Sequence, residues 1–303
     1  MMIFLIQYAL RYLFIIPKLA IAEFSIAIND WQFFLLSLST VLIAAGGYII
    51  NDIEDVVSDS INKNEKRIVG VHLHENTANN LYTLITFLGV LIGFGLTMLY
   101  DIKLIGFINV FTAGLLYFYS NTYKCVALIG NLVISILTGM VMIVLLVTEP
   151  SAMASNEIKV FVSGFALFAA ILTLIREIIK DIEDMKGDAL VGCKTLPIVI
   201  GSGPSKWIAT GITGFLFILI LFSQYSWYET IDYLSQGNIT SRFYLVFGYI
   251  LLFITLPLGY LAFQLLKADE KSAFTNCSKI AKLIMAAGIF SILVFYYSQL
   301  YSS

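Results

Sequence analysis

The stretch Trp31–Asp59, WQFFLLSLSTVLIAAGGYIINDIEDVVSD, decides how this chain is read. Its first part carries no charge as far as Ile50 and, at about 1.5 Å per helical residue, is long enough to cross a hydrocarbon layer of about 30 Å. Its end then gathers Asp52, Glu54, Asp55 and Asp59 beside Asn51. The pattern recurs once, where an apolar run over 157–181 ends in Asp181-Ile182-Glu183-Asp184-Met185-Lys186-Gly187-Asp188. Carboxylates next to hydrocarbon are costly, so a chain that places several there twice is using them. Hard oxygen ligands suit Mg²⁺, which prefers a few carboxylates plus substrate phosphates. The two clusters therefore imply a membrane enzyme that handles a diphosphate.

Composition agrees with a membrane protein. Of 303 residues, 59% are hydrophobic and only 13% charged, against about 25% charged in a soluble domain. Apolar runs recur along the whole chain, so residues 1–303 are read as one domain, an all-α polytopic bundle of nine transmembrane helices around a central cavity. The spans are expected near 1–22, 31–52, 79–99, 103–121, 125–148, 157–181, 205–226, 242–266 and 279–300. Arg11 interrupts the first run and no small-residue cleavage site closes it, so it reads as a span and not as a signal peptide. Within it, Gln7 and Arg11 stand one turn apart and read as a buried structural pair. A net charge of −2 offers no field for nucleic acid. Cys125, Cys193 and Cys277 are far apart without a CxxC spacing, so neither zinc nor a disulfide is expected and they read as packing residues.

Positive charge sets the orientation. Long connections near 53–78, 182–204 and 267–278, with the turn at 122–124, hold most of the Lys and Arg, so the acidic clusters face the cytoplasm of a plasma-membrane protein. Lys267, Lys271, Lys279 and Lys282 read as anchors against anionic membrane lipids.

Spacing gives each cluster a face. Asn51, Asp55 and Asp59 fall at i, i+4 and i+8, and Asp181, Asp184 and Asp188 at i, i+3 and i+7, so each set stacks along one side of a continuing helix. Arg176 and Lys180, also i and i+4, are placed to reach phosphate oxygens that metals leave unneutralised. A solvated helix end, or an end in which Glu177 pairs with Arg176 or Lys180, is the bland alternative. Carboxylates at a helix C-terminus oppose the macrodipole, which favours a bound cation there. His72 and His74 alternate in a polar loop and read as solvated, and Gly201-Ser202-Gly203-Pro204 reads as a turn.

Asn51-Asp52-x-x-Asp55-x-x-x-Asp59 resembles the NDxxDxxxD signature of the UbiA-type intramembrane prenyltransferases, and Asp181-x-x-Asp184-x-x-x-Asp188 resembles their second aspartate motif. The stretch from Arg176 to Asp188, followed by Lys194-Thr195-Leu196-Pro197, is most similar to the digeranylgeranylglyceryl phosphate synthase branch. The resemblance implies that Asn51, Asp55, Asp59, Asp181, Asp184 and Asp188 hold a pair of Mg²⁺ ions on a prenyl diphosphate, with Asp52 in support. It makes Asp55, Asp59, Asp184 and Asp188 catalytic. Lys124 fits the lysine of a YxxxK element, although Ser120 stands where its tyrosine is expected and Tyr119 lies one residue earlier. Lys66 and Arg67 fall where a basic loop closes over the diphosphate.

These parts imply transfer of a prenyl group to a lipophilic acceptor. Metals and cations counter the charge of the departing diphosphate, and a dry aromatic tunnel keeps water from the allylic cation. Geranylgeranylglyceryl phosphate is the favoured acceptor, with an aromatic quinone precursor such as 4-hydroxybenzoate as the runner-up. A cation-coupled transporter is the alternative of another class; clusters at one face rather than at the midplane, and the absence of broken helices in the reading, stand against it.

Overall fold

A computed structural model describes residues 2–62, 68–102, 104–235 and 241–299. Among these the chain is helical almost throughout, with two isolated β-bridges. The helices are α1 (Met2–Ile21), α2 (Asp30–Glu54), the short α3 (Val56–Asn62), α4 (Glu75–Tyr100), α5 (Ile105–Asn121), α6 (Ile129–Thr148), α7 (Asn156–Leu190), α8 (Ser202–Ser235), α9 (Phe243–Lys267) and α10 (Lys271–Gln299). Eight of them are long and apolar enough to span a bilayer, and α5, at 17 residues, is the shorter ninth long helix among the described residues. The protein is an integral, multi-pass membrane bundle.

Local chemistry explains the ends. The α2 helix opens on a capping box in which Asn29 accepts from Gln32 N (2.9 Å) and Gln32 accepts from Asn29 N (2.8 Å), which satisfies orphan donors of the first turn. Close packing of α2 on α4 needs a missing side chain: a Cβ on Gly46 would sit 2.1 Å from the Thr86 hydroxyl, and helix contacts in membranes depend on such small residues. On α5, Asn109 is buried and donates to Ser39 Oγ (3.2 Å) and Gly89 O (3.3 Å), so its amide is not left bare in hydrocarbon.

Helix α7 organises the molecule. Ile158, Val162 and Ala166 on its first half join a core with α1, α2 and α6. Leu172, Ile175, Ile178, Ile179 and Ile182 on its second half join another with α8, α9 and α10. Both halves of the bundle are therefore registered on one 35-residue rod.

Several sequence expectations are corrected. Helix α10 begins at Lys271, eight residues before the expected 279, and only 268–270 separate it from α9; Thr275 and Ser278 dilute the apolar signal there although their helix packs well. Helix α7 runs on to Leu190, so the second motif is part of the helix body and not its frayed end. The first motif bends at Asp55, where α2 stops and α3 starts, yet Asp59 N still donates to Asp55 O (2.8 Å), preserving the one-turn spacing.

Arg11 and Gln7 are both buried, but not as a pair. Gln7 donates to Val141 O (2.9 Å), while Arg11 donates to Glu149 Oε1 (2.8 Å) and to Ile28 O. Glu149 also accepts from Ala27 N (2.8 Å), and the Arg11 guanidinium lies 4.5 Å from the Phe33 ring centroid. With both partners 2% exposed, removing one strands the other. Arg11→Met is expected to cost about 3–5 kcal/mol, read as a lowered thermal unfolding midpoint of the detergent-solubilised protein. An unchanged midpoint would show that the pair contributes nothing.

The cysteine reading is also corrected. Cys125 and Cys193 form a disulfide with Cα atoms 4.4 Å apart, while Cys277 is free and buried. The pairing arises from tertiary structure: Lys194 N donates to Cys125 O (2.8 Å) in a short bridge between the α5–α6 turn and the end of α7. A separation of 68 residues left no local signature.

Candidate active site

The end of the bundle where α2 finishes, α6 begins and α7 finishes collects the chemistry. Helix α3 packs on α7, which brings the first acidic motif against the second. Asn51 donates to Asp55 Oδ2 (2.6 Å), and Ser58 Oγ lies 3.3 Å from Asp55 Oδ1. The Lys124 ammonium reaches the same Oδ1 at 2.7 Å. Lys124 can do so because the turn Tyr123–Cys125 folds onto Gly130; a Cβ there would stand 2.7 Å from Lys124 Cα. The disulfide at Cys125 fixes the next residue of the turn to the far end of α7.

From the facing helix α6, Asn131 donates to Asp181 Oδ2 (2.9 Å). Asp184, 7% exposed, lies one turn further along α7, with Asp188 half-buried beyond it. Lys180 links the motifs: the carboxylates whose fields act on it include Glu177 and Asp184 from α7 and Asp55 from the α2 end. Tyr119 does the same from α5, where the charges of Glu177, Asp181, Asp55 and Arg176 all act on it. Arg176 is ion-paired with its neighbour Glu177.

The structure thus brings together Asn51, Asp55, Lys124, Arg176, Lys180, Asp181 and Asp184. Asp59 is half-buried on α3, and Asp52 is exposed near the end of α2. Lys66 and Arg67 lie outside the described residues. Tyr119, left open by its one-residue offset, is in the site. Asn131 was missed, although an amide inside an apolar run was the available signal. Its partner is a candidate metal ligand, and loss of such an orienting bond costs about 10–100-fold in activity or metal affinity. Asn131→Leu is expected to fall in that range in a prenyl-transfer assay, and a wild-type rate would remove Asn131 from the site.

The donor set fits a hard cation only in company. Among the described residues no three His, Cys, Asp or Glu groups converge tightly enough to hold a metal by themselves. The motifs instead face each other with oxygen donors on both sides, and Asp55 already carries the ammonium of Lys124 in the role of a cation. Mg²⁺ bound through one or two carboxylates and completed by phosphate oxygens matches that arrangement. A separate cavity of about 500 Å³, lined by Arg11, residues 26–30 and Gln32, opens at the opposite end of α6 and takes no part in this site.

The described residues form a bundle of membrane helices in which two carboxylate-rich motifs meet at one end, the architecture of an intramembrane protein with its polar site at a helix-bundle mouth. The chain belongs to the UbiA prenyltransferase family, whose profile matches residues 13–283. It is 36% identical over 186 residues to a digeranylgeranylglyceryl phosphate synthase of Methanosarcina mazei, an alignment covering 61% of this chain and 61% of that protein. The chain thus spans less than two thirds of that relative's length. A solved digeranylgeranylglyceryl phosphate synthase structure superposes with a TM-score of 0.58 at 25% identity, covering 89% of this chain and 87% of that one. A UbiA homologue from Archaeoglobus fulgidus bound to GPP and Mg²⁺ shares the fold with a TM-score of 0.53 at 14% identity, covering 96% and 95%.

Proposed function

We propose that this protein transfers a geranylgeranyl-like group from a prenyl diphosphate to geranylgeranylglyceryl phosphate, using Mg²⁺, from the cytoplasmic face of the plasma membrane. The observation that carries the proposal is the packing of α3 on α7, which sets Asp55, held by Lys124, against the α7 motif whose Asp181 is engaged by Asn131. Two sets of carboxylates with a cation between them suit one diphosphate gripped from both sides. The name shared by the Methanosarcina relative supports the acceptor.

In this reading Asn51, Asp52, Asp55, Asp59, Asp181, Asp184 and Asp188 hold the ions. Mg²⁺ held there would counter the negative charge that develops on the leaving diphosphate. Lys124 moves from Asp55 to diphosphate oxygens, and Lys180 and Arg176 flank them. The allylic C1–O bond breaks with its electron pair going to the diphosphate, an acceptor hydroxyl oxygen bonds to C1, and its proton is released. The family resemblance also assigns Lys66 and Arg67, outside the described residues, to the diphosphate. Asp55, Asp59, Asp184 and Asp188 are the acidic residues on which turnover depends, and residues 1–303 act as one domain.

Purified protein given radiolabelled geranylgeranyl diphosphate, Mg²⁺ and geranylgeranylglyceryl phosphate should yield a labelled diether lipid, identified by mass spectrometry. Transfer to 4-hydroxybenzoate with none to the glyceryl lipid would replace the acceptor, and Mg²⁺-independent transfer would sink the site.

A further inference from the structure

Resting on the reading above, in which Lys124 meets the diphosphate on a cytoplasmic face, we propose that the Cys125–Cys193 disulfide is a redox-operated clamp on the active site, opened by a dithiol. The crosslink joins two pieces of the site itself. Cys125 directly follows Lys124, whose ammonium reaches Asp55 Oδ1 at 2.7 Å, and Cys193 N donates to Asp188 O at 3.0 Å beyond the second motif. One covalent bond thus ties the lysine that serves the first motif to the last aspartate of the second. The turn that carries Lys124 also holds strain at its far end: Leu128 has a φ of +67°, the left-handed region that residues other than glycine avoid. Such a conformation persists only where its surroundings enforce it. The start of α6 is one such restraint, since a Cβ on Gly130 would stand 2.7 Å from Tyr123 O. The disulfide is another, placed at the residue next to Lys124.

Location argues for exchange and against a permanent staple. A disulfide on the cytoplasmic side meets reducing thiol pools, and those found there are usually transient or redox-sensing. Cys193 is buried and Cys125 half-buried, while their neighbours Val126, Gly192 and Lys194 are exposed, so a thiolate enters at Cys125 Sγ. It bonds to that sulfur, the Sγ–Sγ bond breaks, and Cys193 leaves with the electron pair and takes a proton. The second thiolate of the dithiol then displaces Cys125 in the same way. Two electrons and two protons have passed to the protein, and the dithiol has become a cyclic disulfide. The turn is then free to carry Lys124 away from Asp55 and the diphosphate. A misplacement of about 1 Å in a positioned group costs on the order of 100-fold in rate. Cys277, buried and free, takes no part.

The test compares prenyl transfer by the purified full chain before and after dithiothreitol, with thiols counted by maleimide mass-tagging in denaturant. The closed form should give one tag per chain, on Cys277, and the open form three. Opening should lower kcat by about 10–100-fold, and reclosure with the oxidised cyclic dithiane should restore it. Cys193→Ser should show the low rate with no response to dithiothreitol, while Cys277→Ser keeps the response. The Lys124→Met background tells a clamp from a merely stabilising crosslink: there dithiothreitol should change kcat by less than about twofold, because the clamp acts through Lys124. An equal loss in both backgrounds, or an unchanged rate at three tags per chain, would overturn the clamp. So would a count of three tags that the oxidised dithiane fails to lower to one. Absence of transfer in both redox states would sink the functional reading itself, whereas steady transfer in both would sink the clamp alone.

Discussion

Replacing Asp55 by alanine is expected to reduce prenyl transfer by about a thousandfold or more, since metal-assisted stabilisation of a leaving group is worth several kcal/mol and each 1.4 kcal/mol is a factor of ten. Asp55 is the meeting point of the first motif, engaged by Asn51, Ser58 and Lys124 together. Its loss removes one proposed ligand and also releases Lys124. The variant should keep its fold, because Asp55 is only partly buried and lies at the bend between α2 and α3. Radiolabel transfer alongside the thermal unfolding midpoint separates the two effects. Near-normal transfer by a folded Asp55→Ala protein would remove the first motif from the chemistry.

Lys124→Met should lower turnover by about 10²–10³-fold, the usual cost of removing one preorganised group that meets charge developing in the transition state. Lys124 pairs with Asp55 while resting and turns to the diphosphate in the proposed reaction, so the effect should fall mainly on kcat. Methionine keeps an unbranched side chain, one heavy atom shorter, and removes the charge and its hydrogen-bond donors. A variant that raised KM alone, with kcat intact, would make Lys124 a binding residue and nothing more.

The sequence made the membrane class, the order of the long helices and both acidic faces legible, because these depend on local signals. An uncharged run over Trp31–Ile50 and a one-turn spacing such as Asn51, Asp55 and Asp59 survive even though the helix bends between them. What escaped reading depends on elements distant in the chain. Arg11 was recognised as buried, but Glu149 stands 138 residues away and nothing near Arg11 announces it. Cys125 and Cys193 meet only because the α5–α6 turn bridges to the end of α7. The polar start of α10 read as loop because Lys271, Thr275 and Ser278 dilute its apolar signal, whereas the helix begins at Lys271. Tyr119 shows the opposite case: one residue of offset from the expected spacing left it open, and the fold brought it to the carboxylates.

The central claim is that both acidic motifs grip one diphosphate through shared Mg²⁺. Equilibrium binding of a non-cleavable geranylgeranyl thiolodiphosphate, measured with and without Mg²⁺ in the wild type, Asp55→Asn, Asp184→Asn and the double variant, tests it directly. The account predicts Mg²⁺-dependent binding, lost in either single variant, with the double variant no worse than the singles, since groups acting as a unit are not additive. Binding that persists without Mg²⁺, or that survives substitution in one motif unchanged, would contradict it.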